Sequence, residues 1–279
     1  MKTISEIFQL SVAFLNKKQI SRAKFLVQEL LCFALKMDKF SLYMNFDRPL
    51  HDEEVGVIRG FLSELAKEKP IEQITGKVSF FGAEIHITSD VLIPRPETEI
   101  LVDWIAKDLK NSSLTIWDVC TGSGCIGISL KKKFPQHNVI LSDICEKALN
   151  VAKNNGFLNH VDVDYCLGDL LDPFIGKKAD IIVCNPPYIS EEEYRNLDRS
   201  VKDYEPIKAL VAKEQGYEIY ERMSKILPDY LNPGGKVYFE IGSTQGERVF
   251  QIFYSPIWKK KEVIQDWSGQ NRFFFLEIE

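Results

Sequence analysis

The chain has 279 residues, of which 45% are hydrophobic, and its formal net charge is −5. A chain of this length and composition can bury a sizeable core and is expected to form two domains. No apolar run approaches the roughly 20 residues that span a bilayer, and Glu6 interrupts the N-terminus too early for a secretory leader, so we expect a cytoplasmic protein.

The cysteines and histidines predict neither a disulfide framework nor a metal centre. The six cysteines show no paired spacing and lie mostly in apolar stretches, which is typical of reduced core residues in a cytosolic protein. None of the four histidines has a metal-ligand neighbour at helical spacing. We therefore expect no bound metal.

Residues 1–75 predict a small helical domain. Apolar residues recur at helical spacing over residues 4–15, Ser21 is placed to cap a second helix, and a third helix is expected over residues 51–69. Three phenylalanines on these helices are interpreted as core residues rather than a binding surface: Phe8, Phe25 and Phe61.

The apolar period then changes from helical to alternating. Three short strand-like runs lie between residues 76 and 93, and the first two turn at Gly82. We interpret residues 76–94 as a β-hairpin linker that connects the helical domain to a third region, residues 95–279.

The third region predicts an α/β fold. Strand-like runs alternate with helices, which is typical of a mostly parallel sheet covered on both faces. The expected strands are residues 114–120, 139–143, 164–167, 179–184, 236–241 and 272–278.

The charge distribution bears on the partner. Residues 1–75 carry 11 basic and 10 acidic side chains, and the remaining chain carries 24 and 30. Proteins that grip long duplexes normally present a basic face. The one dense basic cluster, Lys131–Lys133, is interpreted as a helix end. The excess of acidic over basic residues favours a protein substrate. We expect neither stable binding to nucleic acid nor association with a membrane.

A glycine-rich loop follows the first predicted strand. In Thr121-Gly122-Ser123-Gly124, glycines let the backbone pass close to a ligand. About twenty residues on, Asp143 ends the second strand, where an acid commonly binds the two hydroxyls of an adenosine ribose. Because Gly122-x-Gly124-x-x-Gly127 also satisfies the dinucleotide pattern, the loop alone does not separate a nicotinamide cofactor from S-adenosylmethionine.

The segment Asn185-Pro186-Pro187-Tyr188 follows the fourth strand and is suited to hold a planar nitrogen. The side-chain oxygen of Asn185 and the carbonyl of Pro186 can each accept one N–H, and Tyr188 offers a flat stacking face. The segment has no general base or nucleophile, which is typical of a site whose partner is a strong electrophile. Four side chains are expected together at the carboxyl ends of the strands, where such sheets bind ligands: Asp118, Asp143, Asp169 and Asn185.

Together these motifs resemble those of class I methyltransferases that methylate a planar nitrogen. The matching segments are Asp118-x-x-x-Gly122-x-Gly124, Asp143, Gly168-Asp169 and Asn185–Tyr188. The segment Ile93-Pro94-Arg95-Pro96-Glu97-Thr98-Glu99 further resembles the linker of the peptide chain release factor glutamine methyltransferases. Residues 204–210 and 234–242 also match that family, and the resemblance runs from about residue 71 to the C-terminus.

The resemblance implies a Rossmann-like, seven-stranded domain with an antiparallel last strand. It implies S-adenosyl-L-methionine as the cofactor, which leaves as S-adenosyl-L-homocysteine. The implied substrate is the glutamine of the Gly-Gly-Gln motif in class I peptide chain release factors, docked partly on the helical domain, whose methylation tunes translation termination. The residues it assigns to catalysis are Asn185, Pro186, Pro187 and Tyr188, and those it assigns to the cofactor are Cys120, Thr121, Gly122, Ser123, Gly124, Asp143, Asp169, Leu170 and Asn185.

The sequence departs from the family at two positions. Cys120 stands where the family usually has the first glycine of the cofactor loop, so we expect its backbone not to be left-handed. Leu170 stands where many relatives have an aromatic residue, so it would cover a purine without stacking. Both departures bear on cofactor affinity more than on the reaction.

Other interpretations stay open from the sequence. An amino-group methyltransferase acting on adenine in DNA or RNA would use the same Asn185 segment but normally carries a basic surface. The others are a non-catalytic module that binds release factors or ribosomes, and a nicotinamide oxidoreductase. For Arg95, Glu97 and Glu99, a helix start and an active-site role are equally supported. Asp118 is compatible with holding the glycine loop without touching the ligand.

Overall fold

A computed structural model describes residues 1–109 and 112–279, and its contacts separate two compact units. The smaller unit comprises residues 1–76 and 198–204, and the larger comprises residues 77–197 and 205–279. The hairpin region therefore groups with the larger unit, and a short segment from the second half of the chain groups with the smaller. The expected domain boundaries at residues 75 and 94 stay a prediction.

The smaller unit is built from short helices around one apolar core. Thr3 begins the first helix with a capping box, in which its hydroxyl accepts from the Glu6 N–H and the Glu6 carboxylate accepts from the Thr3 N–H. The buried side chains Leu15, Val27 and Leu42 belong to its core. The helices of this unit are α1 (Ile4–Lys17), α2 (Ala23–Leu35), α3 (Lys39–Met44), α4 (Asp52–Leu65), α5 (Ile71–Thr75) and α10 (Arg199–Lys202).

Three expectations for this unit are corrected. Ser21 does not cap α2, because the preceding residue is Arg22, which has φ +55° and makes no side-chain cap. Phe25 is 39% exposed, since the buried face of α2 is formed instead by residues such as Val27. The third predicted helix, α4, ends at Leu65, four residues early.

Gly56 and Gly60 offer a test of the helical unit. Both lie inside α4, and a Cβ at either would meet no atom within 4 Å. Replacing both by alanine is expected to raise the free energy of unfolding by about 1–2 kcal/mol, because glycine loses more backbone freedom in a helix. Urea unfolding followed by circular dichroism measures the change; a destabilised double variant would contradict it.

The larger unit contains a seven-stranded sheet with the order β5-β4-β3-β6-β7-β9-β8. The first five of these pair in parallel, while β9 runs antiparallel to both β7 and β8. The α/β prediction with an antiparallel last strand is therefore confirmed. The strands of the sheet are β3 (Thr115–Val119), β4 (Asn138–Asp143), β5 (Asp164–Leu167), β6 (Ala179–Cys184), β7 (Leu231–Glu240), β8 (Trp258–Gln265) and β9 (Asn271–Ile278).

Helices cover both faces of this sheet. On one face, an apolar core joins the sheet to α6, α7, α8 and the hairpin of β1 (Lys77–Phe80) and β2 (Ala83–His86). On the other face, a second apolar core joins the sheet to α13 and α14. Fully burying each large apolar side chain contributes about 1.5–3 kcal/mol. The helices are α6 (Pro96–Asp108), α7 (Cys125–Lys133), α8 (Glu146–Leu158), α9 (Glu191–Arg195), α11 (Ile207–Leu210), α12 (Lys213–Gly216), α13 (Glu218–Ile226) and α14 (Gly246–Ile252).

One predicted strand is absent from the structure, and one observed strand was not predicted. Residues 91–93 form no strand, so the hairpin has two strands rather than three. The strand β8 was not located from the sequence, because its lysines interrupt the alternation that marks a half-buried strand. In the described part of the chain, no helix has both the length and the apolar character needed to cross a membrane.

Candidate active site

The parallel strands bring the predicted site residues to one edge of the sheet. Val119, the last residue of β3, pairs with Ser142 of β4 and with Cys184 of β6. The glycine loop, Asp143 and Asn185 follow these three positions directly. The expected gathering of these residues at the carboxyl ends is thus explained by strand register.

The buried carboxylate of Asp118 holds the glycine loop by hydrogen bonds to both of its ends, Thr121 and Gly127. It is 1% exposed, and its Oδ2 accepts from the Thr121 hydroxyl at 2.6 Å and from the Gly127 N–H at 2.9 Å. Its Oδ1 is buried and has no partner among the described residues. Burial raises the pKa of Asp118 to about 7. This arrangement favours a role in fixing the loop.

The raised pKa of Asp118 predicts a pH-dependent stability. Because the folded value of about 7 exceeds the ordinary value of 3.8, the native protein binds more protons between these pH values. The contribution of Asp118 to stability is therefore lost as pH rises through this window, by about 1.4 kcal/mol per unit of pKa difference. Asp118→Asn cannot titrate, so its unfolding free energy should fall less between pH 4 and pH 7.

Urea unfolding at several pH values measures this difference. Asp162→Asn changes an exposed aspartate and serves as the control. Identical pH profiles for wild type and Asp118→Asn would contradict the prediction.

Gly122 leaves space at the loop. Its φ is +54°, and a Cβ there would meet no atom within 4 Å. The next residues are more enclosed: Ser123 is 2% exposed, and its carbonyl accepts from the Asn155 side chain at 2.9 Å. The backbone at Gly122 is therefore the part of the loop that a ligand can approach closely.

Cys120 contradicts the expectation for its backbone. Its φ is +58°, in the left-handed region that was expected to be avoided. The conformation is imposed by the turn that follows, where the Thr121 N–H donates to the Ser142 carbonyl at 3.0 Å and the Gly124 N–H donates to the Thr121 carbonyl at 2.9 Å. A side chain in this conformation costs about 1–2 kcal/mol.

Asp143 accepts two backbone N–H groups. Its Oδ2 accepts from Gly122 and its Oδ1 from Cys145, each at 2.9 Å, and burial raises its pKa. A carboxylate oxygen has more than one lone pair, so each oxygen can accept a further hydrogen bond. The carboxylate beside the open Gly122 thus fits the paired hydroxyls of a ribose.

Asp169, the acid that follows β5, has a partner that the sequence did not indicate. Asp169 Oδ2 accepts from Arg222 Nη2 at 2.6 Å, and Arg222 lies on α13, far along the chain. The neighbouring Leu170 is 4% exposed and packs in the core, so its side chain presents little surface in this conformation. Contact of Asp169 and Leu170 with a cofactor stays a prediction.

The Asn185–Tyr188 segment forms the second part of the site. The half-buried side chain of Asn185 makes no hydrogen bond within the part of the chain that the structure describes. Pro186 is buried and Pro187 is half-buried. The Tyr188 hydroxyl donates to Glu240 Oε1 at 3.4 Å, and burial raises its pKa. The Asn185 amide is therefore available to a ligand.

The Ile93–Glu99 segment makes long-range hydrogen bonds to two buried glutamates, and the Ile93 N–H donates the first of them to Glu205 at 3.1 Å. Arg95 Nη2 donates to the buried Glu205 at 2.6 Å, and the Thr98 hydroxyl donates to the buried Glu240 at 2.6 Å. Arg95 is also the N-cap of α6, whose first residue is Pro96. The helix-start interpretation therefore describes part of this segment. Its partners Glu205 and Glu240 lie in the two other segments that match the family, residues 204–210 and 234–242.

No metal cluster accompanies these residues in the described ranges. Across residues 1–109 and 112–279, no group of three or more His, Cys, Asp or Glu side chains is placed to hold an ion.

The sheet order and the antiparallel last strand define the class I methyltransferase fold. Two solved structures share it: a methyltransferase from Pyrococcus furiosus, with TM-score 0.54, 16% identity and coverage of 78% of this chain and 98% of that one, and the hMettl16 catalytic domain in complex with the MAT2A 3′UTR hairpin 6, with TM-score 0.55, 19% identity and coverage of 71% and 76%. At these identities the likeness concerns the fold alone.

Sequence comparison identifies the family within this class. Residues 96–201 match the Methyltransferase small domain, and residues 6–76 match the PrmC N-terminal domain. The Release factor glutamine methyltransferase of Chlamydia trachomatis serovar L2 is 44% identical over 230 residues, which cover 82% of this chain and 79% of the relative. That of Thermodesulfovibrio yellowstonii is 34% identical over 254 residues, covering 90% and 91%. The chain belongs to the release factor glutamine methyltransferase family, and the resemblance found in its motifs is confirmed.

Proposed function

We propose that this protein transfers a methyl group from S-adenosyl-L-methionine to the side-chain amide nitrogen of the Gly-Gly-Gln glutamine in class I peptide chain release factors, in the cytoplasm. The observation that carries the proposal is the half-buried Asn185 side chain at the carboxyl end of β6, without a partner among the described residues. Family membership supports the choice of substrate.

The residues around the glycine loop fit the cofactor. Asp143 would accept from the ribose hydroxyls, and the backbone at Gly122 has room for a ligand. The remaining residues assigned to this site by the resemblance are Cys120, Thr121, Ser123, Gly124, Asp169, Leu170 and Asn185. When bound, S-adenosylmethionine would supply an electrophilic methyl group to the substrate nitrogen and would leave as S-adenosylhomocysteine.

Asn185 and Pro186 would prepare the substrate nitrogen. An amide nitrogen is a poor nucleophile, because its lone pair is delocalised into the carbonyl. The Asn185 side-chain oxygen and the Pro186 carbonyl would accept its two N–H groups and favour the positive charge that builds on nitrogen, which then loses one proton to water. Pro187 and Tyr188 complete the segment, and the contribution comes from position and electrostatics.

The helical unit would recognise the release factor. Its match to the PrmC N-terminal domain over residues 6–76 supports a role specific to this family. In this proposal the smaller unit is the substrate-recognition domain, and the larger unit carries the methyl-transfer site.

A methyl-transfer assay tests the proposal. Purified release factor, its variant with the tip glutamine replaced by alanine, DNA and RNA are each offered with labelled S-adenosylmethionine. Label on the wild-type factor alone is the expected result. Label on nucleic acid would replace the proposal by adenine amino-group methylation, and absence of both label and cofactor binding would favour a non-catalytic binding module.

A further inference from the structure

Gln245 lies behind the Asn185–Tyr188 segment and is not part of any motif discussed so far. Its side chain is 4% exposed. Its Nε2 donates to the Tyr188 carbonyl at 2.9 Å, and its Oε1 accepts from the Gly242 N–H at 2.9 Å. Because both ends of the amide are bonded, its orientation is fixed, and Gln245 links the end of β7 to the segment.

Gly216 confines the same carbonyl from another direction. Its φ is +90°, and a Cβ there would lie 2.1 Å from the Tyr188 oxygen and 2.8 Å from Gln245 Nε2. Only a glycine permits this approach. The Tyr188 carbonyl is therefore enclosed between Gly216 and Gln245, and within residues 1–109 and 112–279 the Gln245 amide is its one side-chain donor.

The chain on either side of the segment is also fixed. Before it, Cys184 pairs with Val119 and Phe239 in the sheet. After it, the Ile189 N–H donates to the Leu210 carbonyl at 2.9 Å, and the Ile189 carbonyl accepts from the Ala212 N–H at 3.0 Å. The segment thus spans two anchored points, and Gln245 holds it at the residue before the second.

We propose that Gln245 is a positioning residue for methyl transfer, which acts through the Tyr188 carbonyl on Asn185 and Pro186; this inference rests on the proposed function. Loss of its N–H leaves a confined carbonyl without a donor, so the segment moves to regain one. A displacement of about 1 Å at a site that works by position can cost about 100-fold in rate. The side-chain hydrogen bonds of Gln245 go to Tyr188 and Gly242, whereas Asp143 accepts from Gly122 and Cys145, so we expect the cofactor affinity to change little.

Two variants separate this role from a general structural one. Gln245→Leu removes both hydrogen bonds, whereas Gln245→Glu keeps the acceptor for Gly242 and, when ionised, loses the donor to Tyr188. At pH 8.5 both are expected to lower kcat for release factor by about tenfold or more, with KM and the cofactor Kd within about twofold of wild type. Lowering the pH should restore part of the activity of Gln245→Glu alone, because a protonated carboxyl donates again.

Gln251→Glu makes the same change at an exposed position of α14 and serves as the matched control. An unchanged kcat in both Gln245 variants would overturn the inference. It would also be overturned if cofactor affinity and the unfolding midpoint fell together with kcat, since Gln245 would then support the domain as a whole.

Amide hydrogen exchange tests the inference without the substrate. Exchange at residues 188–190 should become faster in Gln245→Leu than in wild type or Gln251→Glu, and unchanged exchange would overturn the positioning role. Absence of methylation by the wild-type protein would count against the proposed function, whereas the exchange rates would still report on Gln245.

Discussion

Asn185→Ala is expected to lower kcat for release factor methylation by about 100-fold or more, while the cofactor Kd stays within about twofold. The reason is that alanine removes the side-chain oxygen that would fix the substrate nitrogen. In the wild type this oxygen is free for the substrate, because the Asn185 side chain makes no hydrogen bond to the described residues. Single-turnover methyl transfer measures the chemical step, and calorimetric titration measures cofactor binding.

A matched substitution controls for the loss of an asparagine. Asn154→Ala changes an exposed position on α8 and should leave both constants unchanged. Near-normal turnover in Asn185→Ala would refute the role assigned to this amide. A large rise in the cofactor Kd would move Asn185 from the substrate to the cofactor.

Asp143→Ala is expected to weaken S-adenosylmethionine binding by about 100-fold or more. Two hydrogen bonds from ribose hydroxyls to a charged group are each worth about 1.5–3 kcal/mol, and alanine makes neither. The substitution also frees the Gly122 and Cys145 N–H groups, which Asp143 holds at 2.9 Å. Calorimetric titration with S-adenosylhomocysteine measures the affinity without turnover.

The stability of Asp143→Ala must be measured beside its affinity. Burial raises the pKa of this carboxyl, so its removal relieves a desolvation cost as well as breaking two hydrogen bonds. Asp162→Ala provides an exposed aspartate as the control. An unchanged cofactor Kd in a folded Asp143→Ala protein would rule out the ribose contact.

The parallel strands were predictable because they are buried on both faces. Runs such as residues 179–184 are almost continuously apolar, and β6 occupies the same residues in the structure. The edge strand β8 was not predictable in this way, since one of its sides faces solvent and its sequence is rich in lysine. Phe25 was assigned to the core because helical spacing alone does not fix which face of α2 is buried.

The site was predictable where function demands special residues at strand ends. The glycine loop, Asp143 and Asn185 each carry a local chemical pattern, and parallel register explains why they meet. Arg222 and Gln245 carry no such pattern, because their partners are set by tertiary packing of α13 and α14. The left-handed backbone of Cys120 was equally hidden, since it depends on a turn closed by Ser142 of another strand.

The two borders of the sheet bear on how the protein behaves at high concentration. One border is β5, which is only four residues long, and the other is β8, whose Lys259 and Lys260 are exposed. A second chain adding a strand at β8 would have to strip water from these ammonium groups, and β5 offers too little length to reward pairing. The same lysines that hid β8 from its sequence pattern therefore protect the folded protein against edge-to-edge aggregation.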